Sequence, residues 1–143
     1  MEIVSQPQDD IRVEKLERFF EAHNSPLSTH AELLVSTADA YNLPWTLVAA
    51  ISGVESGFCR RIPSGSSNCW GWNNGNSSFD NLSHAVYIVS RTLRYRYFDR
   101  GLDTPEKMSR IYAPPSHTWA GKVRHFMAMI ENTEFENSPP IDL

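Results

Sequence analysis

The stretch that decides the fold is LVAAISGVESGF, residues 47–58. Its first eight residues are uncharged and predict a buried helix, which Gly57 can end in a left-handed conformation. Glu55 is the wrong residue for packing there, because burial and the negative end of the helix dipole both raise the pKa of a carboxyl group. A carboxyl group that stays protonated near neutral pH can act as a general acid. The alternative is a solvated acid, or one paired with Arg60 or Arg61.

Composition limits the class of protein. The chain has 143 residues, of which 41% are hydrophobic, so we expect one globular domain with a real core. The net charge of −4 and the lack of a basic stripe argue against nucleic-acid binding. We interpret the nearest basic cluster as a solvated helix face rather than a ligand-binding patch. It consists of Arg91, Arg94, Tyr95, Arg96, Tyr97 and Arg100. Since no apolar run approaches about 18 residues, we expect no membrane span.

Cys59 and Cys69 flank a short loop rich in Pro, Gly and Ser, so a disulfide between them is sterically feasible. Two separate buried thiols are the alternative. A disulfide would imply an oxidising compartment. Residues 1–10 contain no apolar signal segment, so an exported protein would need a targeting segment that this chain lacks. Two cysteines without CxxC spacing and five histidines without an HExxH motif form no zinc ligand set, and we expect neither metal nor cofactor.

Hydrophobic periodicity predicts a mainly α-helical chain. Residues 1–27 would form a lead-in and a first helix, residues 28–132 the main body, and residues 133–143 a polar tail, all within one domain. Ser28 or Thr29 can cap the second helix, because both side chains accept hydrogen bonds from the first free N–H groups. Gly101 is expected to end the helix that begins after Asp80. The apolar stripe of the last helix consists of Trp119, Val123, Phe126 and Ile130.

Residues 57–80 break the helical pattern. They contain four of the seven glycines, both cysteines and two of the four tryptophans. A connection of this length without regular structure is usually functional in a compact domain. Because Asn-Gly favours tight hairpin turns, we expect a short β-hairpin around residues 72–75.

Three segments resemble the lysozyme-like superfamily of peptidoglycan-cleaving enzymes, most closely soluble lytic transglycosylase and bacterial β-N-acetylglucosaminidase domains. They are ESGF at residues 55–58, NCWGW at 68–72, and IYAP at 111–114 followed by WAGKV at 119–123. Cys69 and Trp72 depart from the glucosaminidase pattern, and the Gly-Leu-Met-Gln segment of transglycosylases is absent. The resemblance covers about residues 33–130. It implies a mainly α lysozyme-like helical domain in which a long loop or small β-hairpin lines a glycan cleft.

The resemblance also implies a reaction, cleavage of a β-1,4 bond between N-acetylated amino sugars. Glu55 would protonate the leaving oxygen and then act as a base. Tyr112 would orient the N-acetyl group or stabilise positive charge, with a buried core tyrosine as the alternative. The candidate substrate-binding residues are Ser56, Asn68, Trp70, Gly71 and Trp72. Ser56 can equally cap the helix end, and Gly71 would allow close approach of the backbone.

The tryptophans divide into two groups. Trp70 and Trp72 are two residues apart and would share a face of an extended segment, so we expect at least one of them to stack on a sugar. Trp45, Trp119 and Ile111 lie on helical stripes, and we expect them in the core.

Most glycosidases need a second carboxylate. The candidates are Asp39, Asp80, Asp99, Asp103 and Glu106. Asp80 alone lies in the loop, where capping the next helix is its alternative role. A single acid is enough where the N-acetyl group of the substrate supplies the nucleophile, and in lytic transglycosylases the muramyl 6-hydroxyl then attacks to give a 1,6-anhydro product. We therefore expect a transglycosylase-like enzyme, with a hydrolytic endo-β-N-acetylglucosaminidase as the alternative.

Two other classes of protein compete with an enzyme. A non-catalytic glycan-binding module would keep Trp70 and Trp72 without a protonatable Glu55. An unrelated helical interaction protein would leave the loop at residues 57–80 unexplained. For the enzyme we expect peptidoglycan, or a related glycan that contains N-acetylglucosamine, as the partner. The expected location is extracytoplasmic, in the cell envelope or secreted.

Overall fold

The structure, a computed structural model, describes residues 10–134 and is mainly α-helical there, as predicted. The six α-helices are α1 (Ile11–Ala22), α2 (Ala31–Ala40), α3 (Leu47–Ser56), α4 (Leu82–Thr92), α5 (Pro105–Tyr112) and α6 (Trp119–Glu131). None of these helices has the length and apolar character needed to cross a membrane. Most of the polar tail predicted for residues 133–143 lies outside the described part of the chain.

Helix α3 is the centre of the core. Its first five residues, 47–51, are all buried, and a helix that is apolar on every side is stable only inside a protein. Helix α6 packs most extensively against it and buries Trp119, Val123 and Ile130, three residues of its predicted stripe. The acid at position 55 therefore stands at the end of the most buried helix of the molecule.

Three helix ends follow the local sequence closely. The Asp10 side chain accepts a hydrogen bond from the Arg12 N–H at 2.9 Å and starts α1. Thr104 caps α5 in the same way, and Pro105 takes the first helical position. Gly57 ends α3 with a φ of 59°, the left-handed conformation predicted for it.

Two local predictions are wrong. Neither Ser28 nor Thr29 caps α2, because Pro26 already starts a 3-10 turn (Pro26–His30) and the Ser25 hydroxyl caps that turn. Ile111 is 54% exposed, since Tyr112 and not Ile111 follows the buried Met108 on the inner face of α5.

A left-handed turn leads out of α3 into the loop. Gly57, Phe58 and Cys59 have φ values of 59°, 60° and 70° in succession. A residue other than glycine persists in this conformation only when its surroundings hold it there. The Phe58 ring does so by packing edge-on against Phe19 and Phe126, with ring centroids 4.9 Å away in both cases. The side chain at position 58 thus anchors the turn in the core.

The loop is also held covalently, because Cys59 and Cys69 form a disulfide, which confirms the predicted pairing over two free thiols. The Ser56 hydroxyl adds a polar connection at the same place. It donates to the Cys69 carbonyl at 2.7 Å and accepts the Cys59 N–H at 2.9 Å. Residues 68–72 are therefore fixed against the C-terminal end of α3.

No β-strand occurs in residues 10–134, so the hairpin predicted around residues 72–75 is wrong. A 3-10 turn (Trp72–Gly75) takes its place, with Asn73 and Asn74 both at positive φ. The Asn68 side-chain amide donates to the carbonyls of Trp72 and Ser77 at 2.9 and 3.2 Å. These carbonyls are thus satisfied by a side chain and not by a neighbouring strand.

The helical hydrogen-bonding pattern changes after α4. A π-turn (Leu93–Tyr97) and a 3-10 turn (Phe98–Arg100) follow it directly, and Gly101 ends the segment at a φ of 80°. Gly101 was the residue predicted to stop this helix. π-Turns of this kind are frequent at functional sites because they shift the side chains that follow onto a different face.

Removing the disulfide tests how firmly the loop depends on it. The variant Cys59→Ala/Cys69→Ala is expected to lose about 3 kcal/mol of unfolding free energy, because its unfolded chain is no longer restricted by a closed loop. Urea denaturation measures this loss. The reduced wild-type protein should match the variant, and an unchanged denaturation midpoint would contradict the prediction.

Candidate active site

Glu55 lies half-buried at the last turn of α3. Its Oε2 accepts a hydrogen bond from the Trp119 indole N–H at 2.8 Å. Burial raises the pKa of Glu55, and the Trp119 hydrogen bond lowers it by a smaller amount. Within the described residues no cation lies within ion-pair distance of this carboxylate, so the alternative of pairing with Arg60 or Arg61 does not occur. The protonated form is therefore more stable than in a solvent-exposed glutamate, which is the direction that the sequence predicted.

Gly71 lies directly against the other carboxylate oxygen. A Cβ atom at this position would overlap Glu55 Oε1 and lie 3.1 Å from Glu55 Cδ. Gly71 also has a φ of 70°, a left-handed value that glycine adopts without strain. The predicted close approach of the backbone at Gly71 is thus an approach to the carboxyl group of Glu55.

Tyr112 joins three segments of the chain around Glu55. Its hydroxyl donates to the Trp70 carbonyl at 2.6 Å and accepts the Trp72 indole N–H at 3.1 Å. Its ring stacks on Trp119 with a centroid distance of 5.0 Å. Burial raises the pKa of Tyr112 well above its usual value, and the nearby Glu55 carboxylate adds to the rise. Tyr112 is therefore a neutral phenol that positions both the loop and the tryptophan that holds Glu55.

A groove of about 620 Å³ opens beside this cluster. The loop, the end of α4 and the end of α5 form its walls. The lining residues are Gly71, Trp72, Asn73, Asn74, Ser77, Thr92, Arg96, Tyr97, Arg100, Ile111, Tyr112 and Pro114. Glu55 itself is not part of the lining, but Gly71, which touches its carboxyl group, is. Such a mixture of aromatic rings with a few polar groups is typical of ligand sites.

Three of the predicted substrate-binding residues do not face the groove. Trp70 is fully buried, and its indole N–H donates to the Val48 carbonyl at 2.9 Å, so it cannot stack on a ligand. Asn68 is 2% exposed and Ser56 is 3% exposed, and the side chains of both bond to loop backbone. Contrary to the prediction, these three side chains do not line the groove, whereas Gly71 and Trp72 do.

Trp119 was missed as a site residue because it was predicted to belong to the core. It is indeed buried, at 3% exposure, but its N–H points at Glu55. A buried indole N–H almost always has an acceptor. Because Trp119 is on the first turn of an apolar helix and was expected to be buried, this rule would have predicted a hydrogen-bond acceptor near its N–H.

None of the five candidate second carboxylates lines the groove. Asp39 pairs with Arg12, Asp99 with Arg94, Asp103 with Lys107 and Glu106 with Arg124, whereas Asp80 is highly exposed near His84. Asp80 also fails to cap α4, because the Asn81 side chain accepts the His84 N–H instead. Among the described residues that line the groove, none is an aspartate or glutamate.

In residues 10–134, no three His, Cys, Asp or Glu side chains are grouped closely enough to hold a metal ion. No protein-family model matches the chain, and a search of curated protein sequences finds no match either.

The contact between Gly71 and Glu55 can be tested against a matched glycine. Gly65 has a φ of 72°, like Gly71, but a Cβ there would meet nothing within 4 Å. We expect Gly71→Ala to lower the unfolding free energy by about 1–3 kcal/mol more than Gly65→Ala, because only the former overpacks a neighbour. Urea denaturation of both variants measures the difference. Equal losses would show that the conformation of the backbone, and not the carboxyl group, requires glycine at position 71.

The Trp119 hydrogen bond can be tested through the titration of Glu55. Trp119→Phe removes the indole N–H that stabilises the charged carboxylate, so the pKa of Glu55 is expected to rise further. Carbon-detected NMR of the Glu55 carboxyl group over a pH series measures the shift. Trp45→Phe is the control, since Trp45 is also partly buried but lies on the lead-in to α3. A fall in the Glu55 pKa would contradict the assignment of the donor.

Proposed function

We propose that the chain is a peptidoglycan-cleaving glycosidase that acts on β-1,4 bonds between N-acetylated amino sugars, with Glu55 as its only catalytic acid. The observation that carries the proposal is the placement of the Glu55 carboxyl group. It lies between the Trp119 N–H and Gly71, at the edge of an aromatic groove. The resemblance of three sequence segments to lysozyme-like enzymes supports the same function.

The two carboxyl oxygens of Glu55 have different surroundings, which suits an acid. Because Oε2 accepts the Trp119 N–H, the proton of the neutral group belongs on Oε1. Oε1 lies against Gly71, which lines the groove. A glycosidic oxygen bound at Gly71 would receive this proton as the bond breaks. The resulting carboxylate would then keep its hydrogen bond to Trp119 while acting as the base in the second step.

The absence of acidic side chains from the described groove lining favours a mechanism with one protein carboxylate. The acetamido group of the substrate would then supply the nucleophile, an accepted exception to the two-carboxylate scheme. Attack by the muramyl 6-hydroxyl would complete a lytic transglycosylase reaction, whereas attack by water would give hydrolysis. In both routes the Glu55 carboxylate would act as the base. The first is our proposal, because a hydroxyl of the same sugar is already positioned for attack, whereas a water molecule must be bound and oriented.

Tyr112 and Trp72 would serve the substrate in different ways. The proton of the Tyr112 hydroxyl is committed to the Trp70 carbonyl, which leaves a lone pair to face positive charge in the transition state. Trp72 lines the groove with its ring, and sugar CH faces stack on such rings. The disulfide is consistent with an extracytoplasmic site of action, where peptidoglycan is found.

The variant Glu55→Gln tests the proposal. We expect it to lose nearly all release of soluble fragments from purified peptidoglycan, because the amide cannot donate the proton. Mass spectrometry of the fragments released by the wild-type protein should show 1,6-anhydro-muramyl ends. Activity of the wild type should fall as pH rises through the raised pKa of Glu55, since only the protonated form is competent.

Asp80→Asn is the matched control, because it makes the same carboxyl-to-amide change at an exposed position of the loop at residues 57–80. It should retain full activity. Reducing ends in place of anhydro ends would assign hydrolysis and reject the transglycosylase route. Binding without fragment release from either protein would reject Glu55 as an acid and favour the glycan-binding module.

A further inference from the structure

Part of the groove lining carries positive charge. Arg96 and Arg100 both line the groove, and both are exposed. They lie at the end of the π-turn and on the 3-10 turn after α4, four residues apart. The irregular backbone of this segment therefore brings two guanidinium groups to one side of the candidate site.

A second, smaller groove of about 390 Å³ continues this surface. Its lining includes Trp72, Thr92 and Arg96, which the first groove shares, and adds Arg91 and Tyr95. The Arg91 guanidinium lies 5.9 Å from the centroid of the Tyr95 ring. Trp72 thus lines both grooves, and the lining of each groove also includes arginines.

These arginines differ from the others of the segment in having no acidic partner among residues 10–134. Arg94, in contrast, pairs with Asp99 at 3.1 Å and donates to the carbonyls of Tyr41 and Asn42. Arg94 is thus structural. Arg91, Arg96 and Arg100 form no ion pair with any described residue, and no described carboxylate lines either groove. Their charge is available to a ligand.

We propose that Arg96 and Arg100, extended by Arg91, form a carboxylate-binding subsite that selects acidic glycan chains over neutral ones. The inference rests on the proposed function and narrows its substrate class. A planar guanidinium group matches a carboxylate with two parallel hydrogen bonds. Because the groups border the same groove as Trp72, a sugar stacked on that ring would present its acidic substituent to them. A neutral N-acetylglucosamine polymer would leave them unused.

Two sources could supply the carboxylate. One is the lactyl group of muramic acid, which is free when the peptide stem has been removed. The other is the peptide stem itself. Both present the same chemistry to a guanidinium pair, so three tetrasaccharides of equal length separate them. These ligands are a neutral chitin tetrasaccharide, a peptide-free muramyl tetrasaccharide and one that carries its peptide stems.

The experiment is calorimetric titration of these ligands into Glu55→Gln protein, which prevents cleavage during the measurement. We expect acidic ligands to bind more tightly than the neutral one. Adding Arg96→Gln/Arg100→Gln should weaken binding of an acidic ligand about five- to tenfold and leave the neutral ligand unchanged. Arg110→Gln is the control, because this exposed arginine lines neither groove. The acid-specific part of the affinity should also fall with added salt.

If the two arginine substitutions weaken binding of only the peptide-free ligand, or of only the peptide-bearing ligand, the result supports the subsite and identifies the source of the carboxylate. The subsite is overturned if the substitutions weaken binding of neutral and acidic ligands equally, or if they leave the affinity for acidic ligands unchanged. It is also overturned if none of the ligands binds. The proposed function is judged separately, by fragment release from the wild-type protein. If the protein binds acidic ligands selectively but cleaves nothing, the subsite is supported and the enzymatic function is rejected. If it cleaves peptidoglycan but binds acidic and neutral ligands equally, the enzymatic function is supported and the subsite is rejected.

Discussion

The whole candidate site depends on how the loop is fastened to the end of α3. The Ser56 hydroxyl bonds to the backbone of both cysteines, and the Cys59–Cys69 disulfide closes the same connection. Phe58 buries the left-handed turn in the core. Together these contacts set the position of the segment that carries Gly71, and so the distance between the loop and the Glu55 carboxyl group. The loop has no strand in the described residues, so its rigidity comes from these side-chain and covalent contacts.

The burial of the Glu55 carboxyl group is unfavourable for the stability of the fold. Burial raises the pKa of this carboxyl group, and one hydrogen bond from Trp119 counteracts it. A structural role would be better served by an ion pair or an apolar side chain, yet the nearest arginines are used elsewhere, as in the Arg60 hydrogen bond to the Gly57 carbonyl. Because natural proteins retain such unfavourable arrangements mainly where function needs them, the position of Glu55 argues for chemistry.

The sequence predicted what depends on short-range periodicity and missed what depends on contacts across the chain. The run at residues 47–51 and the caps at Gly57 and Gly101 are local signals, and all appear as expected. Trp70 and Trp72 do not share a face as predicted, because alternation holds only in extended backbone. Gly71 instead has a φ of 70° and directs the two rings into different environments, one buried and one at the groove. No local pattern shows that the Trp119 N–H meets an acid 64 residues earlier.

Tyr112 shows why the site can form only in the completed fold. Its hydroxyl joins the end of α5 to the loop backbone at Trp70, some 42 residues earlier, and its ring supports Trp119 on α6. Trp119 in turn bonds to Glu55 on α3. Loss of either hydrogen bond would leave a buried polar atom without its partner, at a cost of about 1–3 kcal/mol. Residues that would bind the substrate are thus held in place by the same hydrogen bonds that join the helices, and the acid cannot move away from the groove without disturbing the core.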